Sequence, residues 1–200
     1  MSGAAEHAVV VLAAGASVRL GQPKQLLRRE AETLLHRAVR LGWETGPHTV
    51  VVVLGHERAA MQAALAGMAY QPVFNDASAS GIGSSLRAAA VHVQQHRRVL
   101  LLGCDQPALS LAHLQALLQG ARGAAAESAA SLLHGAAGVP AVVPGHWFSA
   151  LPEAGDRGFR DRLRALPPSD LFLLADAALE QDIDTPEDLA AARARGQIDA

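Results

Sequence analysis

The sequence predicts a three-layer α/β fold, a mostly parallel sheet with helices on both faces. Three observations carry this. Six short apolar runs recur along the 200 residues, and most are too rich in Val and Leu to be half-exposed. Runs of that kind suit strands buried on both sides. Longer amphipathic stretches separate them, and this alternation is the pattern of right-handed β-α-β crossovers. Half of the residues are hydrophobic, enough to fill a core on each side of a sheet.

In chain order, the strands are expected at 8–14 ("AVVVLAA"), 48–55 ("HTVVVVLG"), 70–75 ("YQPVFN"), 98–104 ("RVLLLGC"), 138–144 ("GVPAVVP") and 169–175 ("SDLFLLA"). Helices are expected at about 32–44, 56–68, 84–96 and 111–121, with a last one after Pro186. Thr185, Pro186 and Asp188 mark that last start as N-cap, first position and capping-box acid. Segment 120–138, rich in Ala, Gly and Ser, reads as a helix with a flexible exit or as strand plus loop. No repeat or boundary interrupts the chain, so residues 1–200 are expected to form one domain.

A formal net charge of −2 excludes a broad basic surface of the kind that binds nucleic acid. No apolar run reaches the ~20 residues of a membrane span, and the N-terminus lacks the pattern of a signal peptide. The single cysteine, Cys104, forms no internal disulfide. A cytoplasmic protein is expected. Next to an apolar run and far from any basic residue in sequence, Cys104 reads as a buried thiol and not as a nucleophile.

Ligands of parallel sheets sit at the carboxyl ends of the strands, so the residues following each run matter most. "LAAGASVRLGQPK" follows the first. It has neither the G-x-G-x-x-G order of a dinucleotide fold nor a P-loop. Ala13, Ala14 and Gly15 allow close backbone approach. Arg19 offers a planar fork for phosphate oxygens, and Lys24 a mobile charge. A glycine turn with two solvated cations and a phosphate cradle are the two readings. "GCDQP" places Asp105 where it either opens a turn or holds Mg²⁺. "GIGSSLR" places Gly81, Gly83, Ser84 and Ser85 at a helix start, more than capping needs. In "DIDTPEDL" the capping box leaves Asp182 and Asp184 over, and one of them can join Asp105 on a metal. Arg157 opens a basic helix face after Asp156, a turn where an anion can dock. His92 and His96 read as an exposed helix face, with no third metal ligand.

Taken together, "LAAGASVRLGQPKQLL", "GIGSSLRAA", "GCDQP", "GDRGFR" and "DIDTPEDL" resemble, in order and over almost the whole chain, the motifs of the MobA-like nucleotidyltransferases. The later ones resemble the MocA branch, the molybdenum cofactor cytidylyltransferases. The resemblance implies a Rossmann-like nucleotidyltransferase fold and transfer of CMP from CTP to a phosphorylated acceptor, molybdopterin. A molybdoenzyme is an implied partner. Leu12 to Gly15 would contact the nucleotide, with Ser84 and Ser85 near it. Arg19 and Lys24 would hold its phosphates. Asp105 would bind Mg²⁺, joined by Asp184 or, failing that, Asp182. Gly81, Gly83, Asp156 and Arg157 would face the acceptor. Ala14, in L-A-A-G and not L-A-G-G, implies CTP over GTP. Phe159 stands where the family has a small residue, which puts a bulky ring beside the expected acceptor site. The rival readings are a sugar, alditol or alcohol phosphate as acceptor, or a non-catalytic accessory protein for molybdoenzyme maturation. An oxidoreductase of the dinucleotide-binding kind is disfavoured by the glycine pattern.

Overall fold

A computed structural model describes residues 6–151 and 158–200. The strand β1 (His7–Ala13) opens the chain. A short hairpin follows, β2 (Arg28–Arg29) and β3 (Glu32–Thr33), then α1 (Leu34–Glu44), β4 (Val50–Leu54), α2 (Arg58–Ala64) and β5 (Gln71–Phe74). Next come α3 (Ile82–Val93), β6 (Arg98–Leu102), α4 (Leu111–Gly123), β7 (Ser128–Leu133) and β8 (Ala136–Pro144). The chain ends with α5 (Arg160–Arg164), β9 (Leu171–Ala175) and α6 (Pro186–Ala194).

Seven strands form one sheet in the order β5-β4-β1-β6-β8-β7-β9. Every neighbouring pair is parallel except the two made by β8. The direction of crossover reverses between β1 and β6, which opens a crevice at their carboxyl ends. Alternate residues of β1 serve the two faces. Val9 and Val11 pack with Leu35 of α1, Met61 of α2 and Leu114 of α4, whereas Ala8 and Val10 pack with Leu86 of α3 and Leu163 of α5. These are the expected three layers. Among the described residues no helix is long and apolar enough to cross a membrane.

Several boundaries differ from expectation, each for a local reason. The first helix begins at Leu34 and not at Glu32, because Thr33 is its N-cap and accepts from His36 N. Residues Glu30 and Ala31 both have positive φ, 55° and 64°, and make the two-residue turn of the β2–β3 hairpin. Asp199 relieves that turn by accepting from both backbone N–H groups, at 2.8 Å each. The third expected helix begins two residues earlier than Ser84 and ends at Val93, before His96. Segment 120–138 holds the end of α4, then β7, then a turn at His134 and Gly135 with φ 47° and 76°. The β7–β8 hairpin it forms is what makes β8 antiparallel.

Candidate active site

Four charged side chains meet above the carboxyl ends of β1 and β6. Lys24 Nζ lies 2.9 Å from Asp105 Oδ2 and 2.9 Å from Asp184 Oδ1. Arg19 donates to the other oxygen of Asp184 at 2.7 Å. The four come from three distant parts of the chain. Arg19 and Lys24 lie in the long loop after β1, Asp105 just beyond β6, and Asp184 just before α6.

Backbone and small apolar contacts bring them together. Ile183 N donates to Asp105 O at 3.2 Å, which ties the two acidic segments side by side. The Ile183 side chain is buried in a satellite core with Leu20 and Leu27 of the β1 loop, Leu34 of α1, and Leu189 and Ala192 of α6. One apolar cluster therefore fixes the cationic loop against the acidic segment. The capping box at Thr185 and Asp188 adds a bond from Asp184 N to Asp188 Oδ2 at 3.1 Å. Two glycines allow the close packing beneath. A Cβ on Gly55 would stand 2.5 Å from Ala14 O, and one on Gly103 would stand 2.6 Å from Asp105 Oδ1.

The electrostatics follow from this geometry. Burial alone would lower the Lys24 ammonium, but Asp105 and Asp184 together outweigh it and hold it above the usual lysine range. Burial alone would raise Asp184, and Lys24 with Arg19 overrules it, so the carboxyl lies below its usual value. Asp182 makes no ion pair to either cation. It is exposed to solvent, yet partial enclosure by the surrounding chain, reinforced by the Asp105 carboxylate, pushes it up to about 6. Cys104 is buried and its thiol is pushed up by that burial, which leaves it inert.

Leu12, Ala13, Ala14 and Gly15 cross from strand to loop. Ala13 and Ala14 are buried and Gly15 is exposed. The Ala14 methyl belongs to the core on the α3 side. Gly81, with φ 90°, is the last residue before α3, and Gly83 lies buried in its first turn. Ser84 and Ser85 are also buried. Asn75 Nδ2 donates to both hydroxyls, at 2.8 and 3.0 Å, and Ser84 Oγ donates to Gly81 O. Their hydroxyls thus shape the Gly81 loop from within. Asp156 and Arg157 lie outside the described residues. The Phe159 ring packs on Phe148 and Trp147, with centroids 5.0 and 5.7 Å away, and is buried in the core.

Two residues escaped the sequence reading. Asn75 directly follows β5, at the carboxyl end of a parallel strand, a position that could have singled it out. Gln25 is 2% exposed although it is polar. Its amide Nε2 donates to Ala13 O at 3.0 Å and to Gly15 O at 2.7 Å. Nothing in the sequence around Lys24-Gln25-Leu26 marks it, because backbone carbonyls are its partners.

Among the described residues no three His, Cys, Asp or Glu side chains converge as a complete metal cage. Asp105 and Asp184 instead aim one oxygen each at the same cationic centre. Two carboxylates, with water and substrate phosphates completing the shell, is the donor set that Mg²⁺ favours. The residues therefore fit a divalent ion that arrives with a phosphorylated substrate.

A doubly wound sheet whose switch-point crevice holds paired carboxylates, a lysine and an arginine defines a phosphate-handling α/β enzyme. Residues 9–170 match the model of the MobA-like NTP transferase domain, and the chain belongs to that family of nucleotidyltransferases. A curated relative, nicotine blue oxidoreductase of Paenarthrobacter nicotinovorans, is 37% identical over 191 residues, covering 90% of this chain and 93% of its own. The crystal structure of Rv0371c from Mycobacterium tuberculosis H37Rv superposes with a TM-score of 0.78 at 27% identity, covering 94% of this chain and 97% of that one. The manganese complex of the same protein gives a TM-score of 0.74 at 24% identity, covering 93% and 97%.

Proposed function

We propose that this nucleotidyltransferase moves CMP from CTP to a phosphorylated acceptor, molybdopterin, with Mg²⁺ and release of pyrophosphate, in the cytoplasm. The observation that carries the reading is the Lys24 ammonium held between Asp105 and Asp184, with Arg19 on the second carboxylate. A phosphate oxygen of the acceptor attacks the α-phosphorus of CTP. The bond from that phosphorus to the bridging oxygen breaks, and its electron pair leaves with pyrophosphate. The attacker is already an anion, so no protein base is needed, and the work is positioning and charge neutralisation.

Each residue has a part in that work. Leu12 to Gly15 carry the nucleotide, and Lys24 turns from its carboxylates to the α-phosphate as charge grows there. Arg19, exposed and long, steadies the departing pyrophosphate. Asp105 and Asp184 would hold Mg²⁺, which supplies Lewis-acid neutralisation of the phosphates when bound. Asp182, two residues before Asp184, is the reserve for that second acidic ligand. Ser84 and Ser85, through Asn75, set the Gly81–Gly83 loop that faces the acceptor together with Asp156 and Arg157. The manganese in a related structure supports a divalent ion, and the resemblance to the MocA branch supports CTP and molybdopterin. A molybdoenzyme would receive the product.

A second reading is favoured by one observation, the activity named for the 37% identical relative. On that reading the crevice holds a dinucleotide reductant and the acceptor is a flat aromatic compound. One panel separates the two. Pyrophosphate release is followed with each of the four nucleoside triphosphates and Mg²⁺, with molybdopterin or sugar phosphates. A parallel arm follows oxidation of a reduced nicotinamide dinucleotide with an aromatic dye. Release with CTP and molybdopterin alone is the expected result. Release with a sugar phosphate moves the acceptor, and dinucleotide oxidation without any release supports the reductase.

A further inference from the structure

Gln25 lies directly beneath the loop that the nucleotide reading assigns to phosphate, and it is almost wholly buried. Its carboxamide is used at both ends. The two hydrogens of Nε2 go to Ala13 O and Gly15 O, at 3.0 and 2.7 Å, and Oε1 accepts from Ser17 Oγ at 3.4 Å. Ser17 in turn accepts from Lys24 N at 3.1 Å. Ser17 has a positive φ of 49°, and its carbonyl accepts from Leu20 N and Gly21 N, so the turn that carries Arg19 is wound around it. One side chain therefore links the start of the loop, its turn and, through Ser17, the backbone N–H of Lys24.

The peptides joining Ala13 to Ala14 and Gly15 to Ala16 are trans. In a planar trans peptide the N–H points opposite to the C=O. Since Gln25 draws both carbonyls toward itself, the N–H groups of Ala14 and Ala16 are turned away from it. A carbonyl oxygen facing a polyphosphate repels it, whereas an N–H attracts it. We propose that Gln25 is a positioning residue for the polyphosphate of a nucleoside triphosphate. It sets the polarity of the loop, keeping two carbonyls inward and two N–H groups available to phosphate. The proposal rests on the nucleotidyl-transfer reading of this site.

Glutamine is the residue type this requires. Methionine fills a similar volume but leaves two buried carbonyls without donors. Asparagine keeps the carboxamide but falls one methylene short of bonding both carbonyls. The test titrates inorganic tripolyphosphate and Mg²⁺–CTP into the wild type, Gln25→Met and Gln25→Asn, with thermal melting as a check on folding. Loss of aligned N–H groups to a charged ligand predicts affinities for both probes about tenfold weaker or more in Gln25→Met. Gln25→Asn should fall between, and it decides the matter if Gln25→Met does not fold. In turnover, KM for CTP rises more than kcat falls. Folded variants that bind both probes like the wild type overturn the proposal, as does a fall in kcat at unchanged KM. A wild type that binds neither probe overturns the nucleotide reading itself, and is thereby distinguished from failure of the Gln25 role alone.

Discussion

Lys24 is the residue on which the candidate site turns. Its stem is mostly buried and its ammonium reaches two carboxylates from different chain segments, so it stays charged and fixed. Asp184 and Asp182 are two residues apart and differ in what they touch. Asp184 meets both cations, whereas Asp182 pairs with neither and is exposed. Metal-dependent turnover should separate them. Asp184→Asn is expected to lose about 10²-fold or more, and Asp182→Asn far less, when rates are measured across a Mg²⁺ titration. Equal losses in both would reverse the assignment. Much of this was legible in the sequence, because Arg19, Lys24, Asp105 and Asp184 all sit at ends of apolar runs or beside a helix start. Gln25 was not, because its partners are backbone carbonyls with no sequence signature. The burial of Phe159 was not legible either, because its ring neighbours, Phe148 and Trp147, are contributed by another segment.

At the scale of elements, strand positions were readable and strand direction was not. A run such as 138–144 is apolar on both faces whichever way it points, so the antiparallel setting of β8 depends on the hairpin before it. The His134-Gly135 turn is short and lacks the Asn-Gly pair that marks such hairpins most clearly. The Glu30-Ala31 turn is more hidden still, since its positive φ angles are sustained by Asp199 at the far end of the chain. Beside that turn, Glu32 of β3 is clasped by Arg40 of α1 through two bonds of 2.8 Å, and His36 bonds to it at 2.7 Å. Arg40 first, then His36, overcome partial burial and pull the Glu32 carboxyl down to about 2 from an ordinary 4.5. A lowered carboxyl stabilises the fold fully above the unfolded value and loses that contribution as pH falls through the folded one. Acid unfolding should therefore show a Glu32-dependent loss between about pH 4.5 and 2. Glu32→Gln should lower stability at pH 7 by about 1–2 kcal/mol and shrink the difference from wild type toward pH 2, as read by denaturant melts. A difference that stays constant across that window would show that the ion pair carries none of it.

Across the whole molecule, two large cores hold the sheet between its helices, and a third small one has a separate task. Leu20, Leu27, Leu34, Ile183, Leu189, Ala192 and Ile198 join the first loop to the last helix. Without that cluster, residues 160 positions apart would not share one ion pair. The candidate site is thus completed only near the C-terminus, by a segment that this cluster holds against the first loop. In the proposed reaction, Lys24 and Asp105, brought together in this way, carry nucleotidyl transfer. The most direct test is pyrophosphate release from CTP with Mg²⁺ and molybdopterin in Lys24→Ala and Asp105→Ala, alongside circular dichroism to follow the fold. Both variants should keep the wild-type spectrum and lose about 10²–10³-fold in turnover. Near-wild-type release in both, from folded protein, would contradict the claim.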